Sequence, residues 1–160
     1  AAYQGPVYLR ATRDAWPRVS PQGYRFELGK AVRVREGGDI TLVGSGMMTS
    51  QCLEAAELLA AEGIAARVLH VATVKPIDVD AIVQAAEETG ALVTAENHSI
   101  YGGLGSAVAE VLVEHAPAPM ARIGIRDCYG ECGTNEALLA KYGLSPVHIA
   151  EAAHQVLQRN

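Results

Sequence analysis

Residues 91–113, ALVTAENHSIYGGLGSAVAEVLV, constrain the fold more than any other stretch of the chain. Leu92 and Val93 open it as a buried strand. Glu96, Asn97, His98 and Ser99 then place polar groups at that strand's carboxyl end. Gly102, Gly103 and Gly105 follow, where a missing Cβ permits positive φ and close backbone approach. Leu104, Ala107, Val108, Val111 and Leu112 recur at helical spacing, with Glu110 and Glu114 off that face. Strand, polar glycine loop and helix make half of a βαβ unit, and the carboxyl edge of such a sheet is where ligands bind. The loop fits neither G-x-G-x-x-G nor the phosphate loop G-x-x-x-x-G-K-[ST]. On pattern alone it reads as a tight strand-to-helix turn.

The same alternation runs through the rest of the chain. Residues 31–35 alternate as a half-buried strand, residues 36–39 (EGGD) read as a hairpin turn, and residues 40–44 form a continuous apolar run suited to a central strand. The first two strands are therefore expected to pair antiparallel. Residues 45–63 form a helix with Cys52, Ala56, Leu59 and Ala60 on one face and Gly63 as its stop. Residues 66–71 are a third strand. Asp78 is an N-cap for a helix striped by Val79, Ile82, Val83 and Ala86, which Gly90 ends. Residues 120–125 form the last strand, 134–142 a short helix, and Ser145-Pro146 opens a terminal helix through Leu157. This order predicts an α/β three-layer sandwich with a five-stranded, mostly parallel sheet, one antiparallel edge strand and helices on both faces. Before it, residues 6–10 read as an isolated strand and residues 14–29, with Pro17, Pro21 and Gly23, as a linker or extended arm. A lone strand followed by a linker suggests the end of a preceding domain.

At 160 residues the chain has the length of one domain and can bury a full core without covalent staples. Apolar residues make up 49% of it and aromatic residues 5%, so the core is expected from Ala, Val, Leu and Ile. A net charge of −5 argues against a nucleic-acid binder. No apolar run has the length of a membrane span, and the N-terminal residues lack a signal-peptide pattern. Three cysteines fit a reducing compartment better than a disulfide framework, so the expected location is cytoplasmic.

Several side chains carry candidate chemistry. Cys128 and Cys132 with His98 and His115 invite a zinc reading, but the paired C-x-x-C of a zinc ribbon is absent, and ordinary reduced thiols are the simpler expectation. Cys52 lies on an apolar helix face, where a thiol acts as a small hydrophobe rather than a nucleophile. Glu96 and His98, two apart on an extended segment, could face one cleft as acid and base. The competing reading has Glu96 and Asn97 bonding loop amides and fixing the turn. Arg10 and Arg13 end the N-terminal strand, where a guanidinium can clamp a phosphate or carboxylate or simply sit solvated.

Residues 5–13 (GPVYLRATR) resemble the end of the pyrimidine-binding domain of transketolases and deoxyxylulose-phosphate synthases. Residues 74–78 (VKPID), 96–106 (ENHSIYGGLGS) and 141–144 (KYGL) resemble successive landmarks of the C-terminal domain of the same family, in order and in register. The resemblance is nearest to the C-terminal section of split transketolases. It implies an enzyme that moves two-carbon ketol units between sugar phosphates with thiamine diphosphate and Mg²⁺. The family's G-D-G…N diphosphate motif and the body of its pyrimidine-binding domain are not in this sequence. The resemblance therefore implies a chain that is inactive alone, binds no cofactor or metal by itself, and supplies no catalytic residue. Its partners would be the remaining domains or a diphosphate-binding subunit, within a homodimer. Residues 1–28 would be the last strand of the pyrimidine-binding domain plus a linker, and residues 29–160 the C-terminal domain. Arg13 falls where the family places its sugar-phosphate arginine, with Arg10 as the second choice. The C-terminal domain of a 2-oxo-acid dehydrogenase E1 β-subunit and a stand-alone small-anion-binding module are the alternative readings.

Overall fold

The computed structural model of the protein describes residues 3–159. Its strands are β1 (Ala31–Arg35), β2 (Ile40–Gly44), β3 (Ala66–Val71), β4 (Leu92–Ser99) and β5 (Met120–Ile125). Its helices are α1 (Met48–Ala61), α2 (Val79–Thr89), α3 (Leu104–His115), α4 (Asn135–Lys141) and α5 (Pro146–Leu157). The strands form one sheet in the order β1-β3-β2-β4-β5, with β1 antiparallel to β3 and every other pair parallel.

Strand alternation divides the core in two. Ile40, Leu42, Val68, Val93 and Ala95 join α1 and α5 on one face, while Val43, Leu69, Val71 and Leu92 join α2 and α3 on the other. Local signals set the helix ends as the sequence implies. The Asp78 carboxylate accepts the amide of Ala81 at 3.3 Å as N-cap of α2, and its second oxygen accepts the amide of Ala31 at 2.9 Å, tying that helix to β1. Gly90 closes α2 in the left-handed conformation at φ 68°. Ser145 precedes Pro146 as expected, but its hydroxyl bonds His148 Nδ1 at 2.7 Å rather than a helix amide. None of the helices among the described residues is long and apolar enough to cross a membrane.

One expectation is corrected. β1 and β2 do not form a hairpin, because β3 lies between them. Residues 36–39 instead cross over the start of β3: Asp39 donates its amide to Ala65 O at 3.0 Å, and Arg67 Nε donates to Gly37 O at 3.2 Å. Neither Gly37 nor Gly38 has a positive φ. Gly37 is needed for closeness instead, since a Cβ there would lie 2.3 Å from Ala66 C and Arg67 N. Buried on every residue, β2 takes parallel neighbours on both sides, which leaves β1 only the outer edge of β3. Residues 6–10 stand apart from the sheet. They adopt no strand, because no other segment among the described residues pairs with them, and Val7, Tyr8 and Leu9 are 67%, 88% and 85% exposed.

The crossing yields a paired prediction. Gly37→Ala should destabilise the protein by roughly 1–3 kcal/mol through overpacking against backbone. Gly38→Ala, with nothing within 4 Å of its Cβ, should be neutral or stabilising. Urea denaturation of both variants checks this.

Candidate functional site

The connection from β2 to β3 runs through α1 on one face, and the connection from β3 to β4 runs through α2 on the other. The chain thus reverses direction across the sheet between β2 and β4, and the carboxyl ends of those strands flank the crevice where open α/β sheets take ligands. Gly44, Ser45 and Gly46 leave β2 there. A Cβ on Gly44 would lie 2.8 Å from Thr49 Cα, so glycine lets α1 begin directly against the strand end. Glu96, Asn97 and His98 lie opposite, in the carboxyl-terminal part of β4.

Glu96 is buried, and both its oxygens are occupied. Oε2 accepts the amide of Leu104 and Oε1 the amide of Gly105, each at 2.8 Å. These are unpaired amides of the first turn of α3, where a negative charge is favoured by the helix dipole. A Cβ on Gly103 would fall 1.9 Å from Glu96 Oε2, so only glycine fits beneath the carboxylate. The chain's own side chain therefore fills the position that an external anion would take at this glycine loop, against the stand-alone anion-module reading. His98 Nδ1 lies 3.8 Å from Glu96 Oε2, but the ring is half exposed and its Nδ1 bonds Ser99 O at 2.9 Å. Both Glu96 oxygens are held by amides, an arrangement that fixes the turn.

Asn97 faces the other way and meets the N-terminal arm. Arg10 Nη1 donates to Asn97 Oδ1 and Arg10 Nη2 to Asn97 O, both at 2.9 Å. Asn97 Nδ2 in turn donates to Met47 Sδ at 3.1 Å, bridging β4 to the loop after β2. The arm's own guanidinium thus sits at the reversal point of the sheet. Further along, Asn135 Nδ2 donates to Asp14 Oδ2 at 2.6 Å, and Trp16 packs against the core on the α1–α5 face. Arg13 lies between these tethers, exposed, with no hydrogen-bond or ion-pair partner among the described residues. The two arginines that the sequence groups together are in different situations: Arg10 is engaged and Arg13 is free. Asn97 as a docking residue for Arg10, and Asn135 for Asp14, were missed in the sequence, where the partners stand 87 and 121 positions apart.

The remaining candidates are dispersed. Cys52 is fully buried, and burial pushes its thiol up to about 12, far from a working nucleophile. His115 ends α3 at the opposite edge from His98 and pairs with Glu114 at 3.7 Å, while Cys128 and Cys132 are exposed in the loop after β5. No group of three His, Cys, Asp or Glu side chains among the described residues is placed to hold a metal ion. At the end of β3, His70 Nδ1 and Thr49 Oγ1 are 2.7 Å apart, and burial holds the imidazole below its usual pKa.

Comparison with known proteins identifies this architecture. The family model for the transketolase C-terminal domain matches residues 29–149. The chain belongs to the transketolase C-terminal domain family. Over 158 residues it is 50% identical to the 6-deoxy-6-sulfo-D-fructose transketolase subunit SqwH of Clostridium sp. (strain MSTE9), covering 99% of this chain and 49% of that protein. It is 40% identical to one of the subunits of the apulose-4-phosphate transketolase of Phocaeicola vulgatus, covering 98% of this chain and 50% of that one. Among solved structures, a split-gene transketolase described as an inactive β4 tetramer superposes with a TM-score of 0.87 at 49% identity, over 91% of this chain and 48% of that chain. The chain spans about half the length of the curated relatives it matches.

Transketolase relatives imply thiamine diphosphate for the complete enzyme. At the glycine loop the Glu96 carboxylate is turned inward, with each oxygen accepting an amide of α3.

The half-buried imidazole of His70 yields a prediction in this transketolase domain. His70 has a lower pKa folded than unfolded, so the unfolded chain binds more protons as pH falls below about 6.5. Stability should therefore be fully present above that pH and decline through the window down to the folded value. His70→Asn, which keeps an acceptor for Thr49, should flatten the decline in a series of melting curves from about pH 7.5 to 5.

Proposed function

We propose that this chain is the C-terminal half of a transketolase subunit that transfers two-carbon ketol units between sugar phosphates. Its near-complete alignment with half of two transketolase subunits is the observation that carries the reading. Residues 1–28 are the last segment of a pyrimidine-binding domain plus a linker, and residues 29–160 are the C-terminal domain. The start of the family match at residue 29 and the unpaired, exposed Val7-Tyr8-Leu9 segment support this division. An extended segment with open backbone groups and apolar side chains is suited to complete a sheet in a preceding domain.

Thiamine diphosphate and Mg²⁺ belong to the remainder of the enzyme, which supplies the carbanion chemistry of ketol transfer. This chain contributes architecture, support for a homodimer in the cytoplasm, and one recognition group. Arg13 is that group: its free planar fork is suited to the tetrahedral oxyanion at the far end of the sugar, and Arg10 supports it from the Asn97 contact. The relatives' names include one sulfonated and one phosphorylated sugar, both ending in such an oxyanion.

A ketol-transfer assay with thiamine diphosphate and Mg²⁺ tests the proposal. Activity is expected when the longer section carrying this chain is mixed with its diphosphate-binding partner, and not from this chain alone. In the mixture, Arg13→Ala should raise the KM for a phosphorylated acceptor by about 10- to 100-fold, the loss of a charge-assisted hydrogen-bonding group. Activity from the chain alone would refute the division of labour, and no activity in the mixture would refute the ketol-transfer reading.

A further inference from the structure

Arg13 lacks a partner among the described residues, yet the backbone on either side of it is tied down. On one side Arg10 closes a two-pronged contact on Asn97, using both the side-chain amide oxygen and the main-chain carbonyl at 2.9 Å. On the other side Asp14 accepts from Asn135 at 2.6 Å, and Trp16 packs on the core just beyond. Residues 11–13 span the interval between these tethers. Asn97 is itself braced, because its amide nitrogen donates to Met47 and its strand neighbour Glu96 is locked by the amides of α3. A short span pinned at both ends has few conformations left, so its free side chain is presented from a fixed base and loses little entropy on binding.

We propose that Asn97 and Asn135 are positioning residues that aim Arg13 at the terminal oxyanion of the substrate, an inference that rests on the reading of Arg13 given above. Neither asparagine touches substrate. Each acts by holding one end of the arm, so the C-terminal domain sets how well a neighbouring site reads phosphorylated or sulfonated sugars. The two sites are thermodynamically coupled: when the tether is cut, part of the binding energy of the oxyanion goes into ordering the arm.

The test uses the assembled enzyme, with ribose 5-phosphate and the phosphate-free acceptor glycolaldehyde compared side by side. Asn97→Ala should raise the KM for ribose 5-phosphate about five- to tenfold, with a smaller fall in kcat and little change in the KM for glycolaldehyde. Asn97→Asp, which keeps the acceptor oxygen for Arg10, should restore the phosphorylated KM. Asn135→Ala should act in the same direction as Asn97→Ala. In an Arg13→Ala background, Asn97→Ala should add nothing, because the group it positions is gone. If Asn97→Ala proves too unstable to assay, Arg10→Met removes the same contact from the arm and leaves the sheet intact.

Equal KM changes for both acceptors would overturn the proposal in favour of a purely structural role. So would additivity of the Asn97 and Arg13 changes. An Arg13→Ala enzyme with an unchanged phosphorylated KM, or an assembly without ketol transfer, would remove the underlying reading and the inference with it. Sensitivity to Arg13→Ala with insensitivity to Asn97→Ala and Arg10→Met would overturn the inference alone.

Discussion

The carboxyl edge of this sheet depends on one buried carboxylate. Glu96 loses its hydration in the core, which costs about several kcal/mol for an unpaired charge, and two amides at the positive end of α3 offset that loss. The loop around it is satisfied in the same internal way. Ile100 O accepts from Ser106 Oγ and from Arg122 Nη1, each at 3.0 Å, and the amide of Gly102 donates to Ser106 Oγ at 3.0 Å. The glycine loop is thus closed by hydrogen bonds from its own chain. It also determines what comes next along the strand. Side chains alternate across a sheet, so turning Glu96 toward α3 turns Asn97 toward the opposite face, where Met47 and the arm lie.

The reversal point between β2 and β4 is the place where a sheet of this type ordinarily receives a ligand. Here it receives Arg10. The consequence is a domain whose crevice recognises the adjoining segment of its own polypeptide. Such an arrangement holds the arm to the sheet in a defined geometry. The polar character of the contact fits that use, since two hydrogen bonds from a guanidinium define an orientation that apolar packing alone does not. On the far side of the sheet no comparable docking occurs among the described residues. There Arg67, buried, and Arg33 both reach Glu88, closing the outer edge of β3 over α2.

The elements legible in the sequence are those set by near neighbours. Asp78 three residues before Ala81 and Gly90 at the end of the apolar stripe delimit α2 by local hydrogen bonding and backbone conformation. The apolar pair Leu92 and Val93 marks a strand buried on both faces, and Gly103 marks a close approach that the Glu96 carboxylate then explains. Residues 36–39 were misleading because their composition is that of a hairpin, while the need for space at Gly37 arises from β3, where Arg67 stands 30 positions later. The segment 6–10 has strand-like residues, but a strand exists only where a neighbour completes its hydrogen bonds. Of the candidate site, the polar run at the end of β4 and the arginine pair could be read directly. Their meeting could not.

The succession of strands and helices, the α/β class, the faces that enter the core and the family of the chain are all written in its residues. They follow from periodicity, capping and local motif, each of which acts over a few positions. Three outcomes belong to the folded molecule instead: β1 lies beyond β3, Glu96 closes the glycine loop, and Asn97 engages Arg10 while Arg13 has no partner among the described residues. These depend on contacts between segments far apart in the chain. No local pattern encodes which partner will be within hydrogen-bonding reach once the sheet has formed.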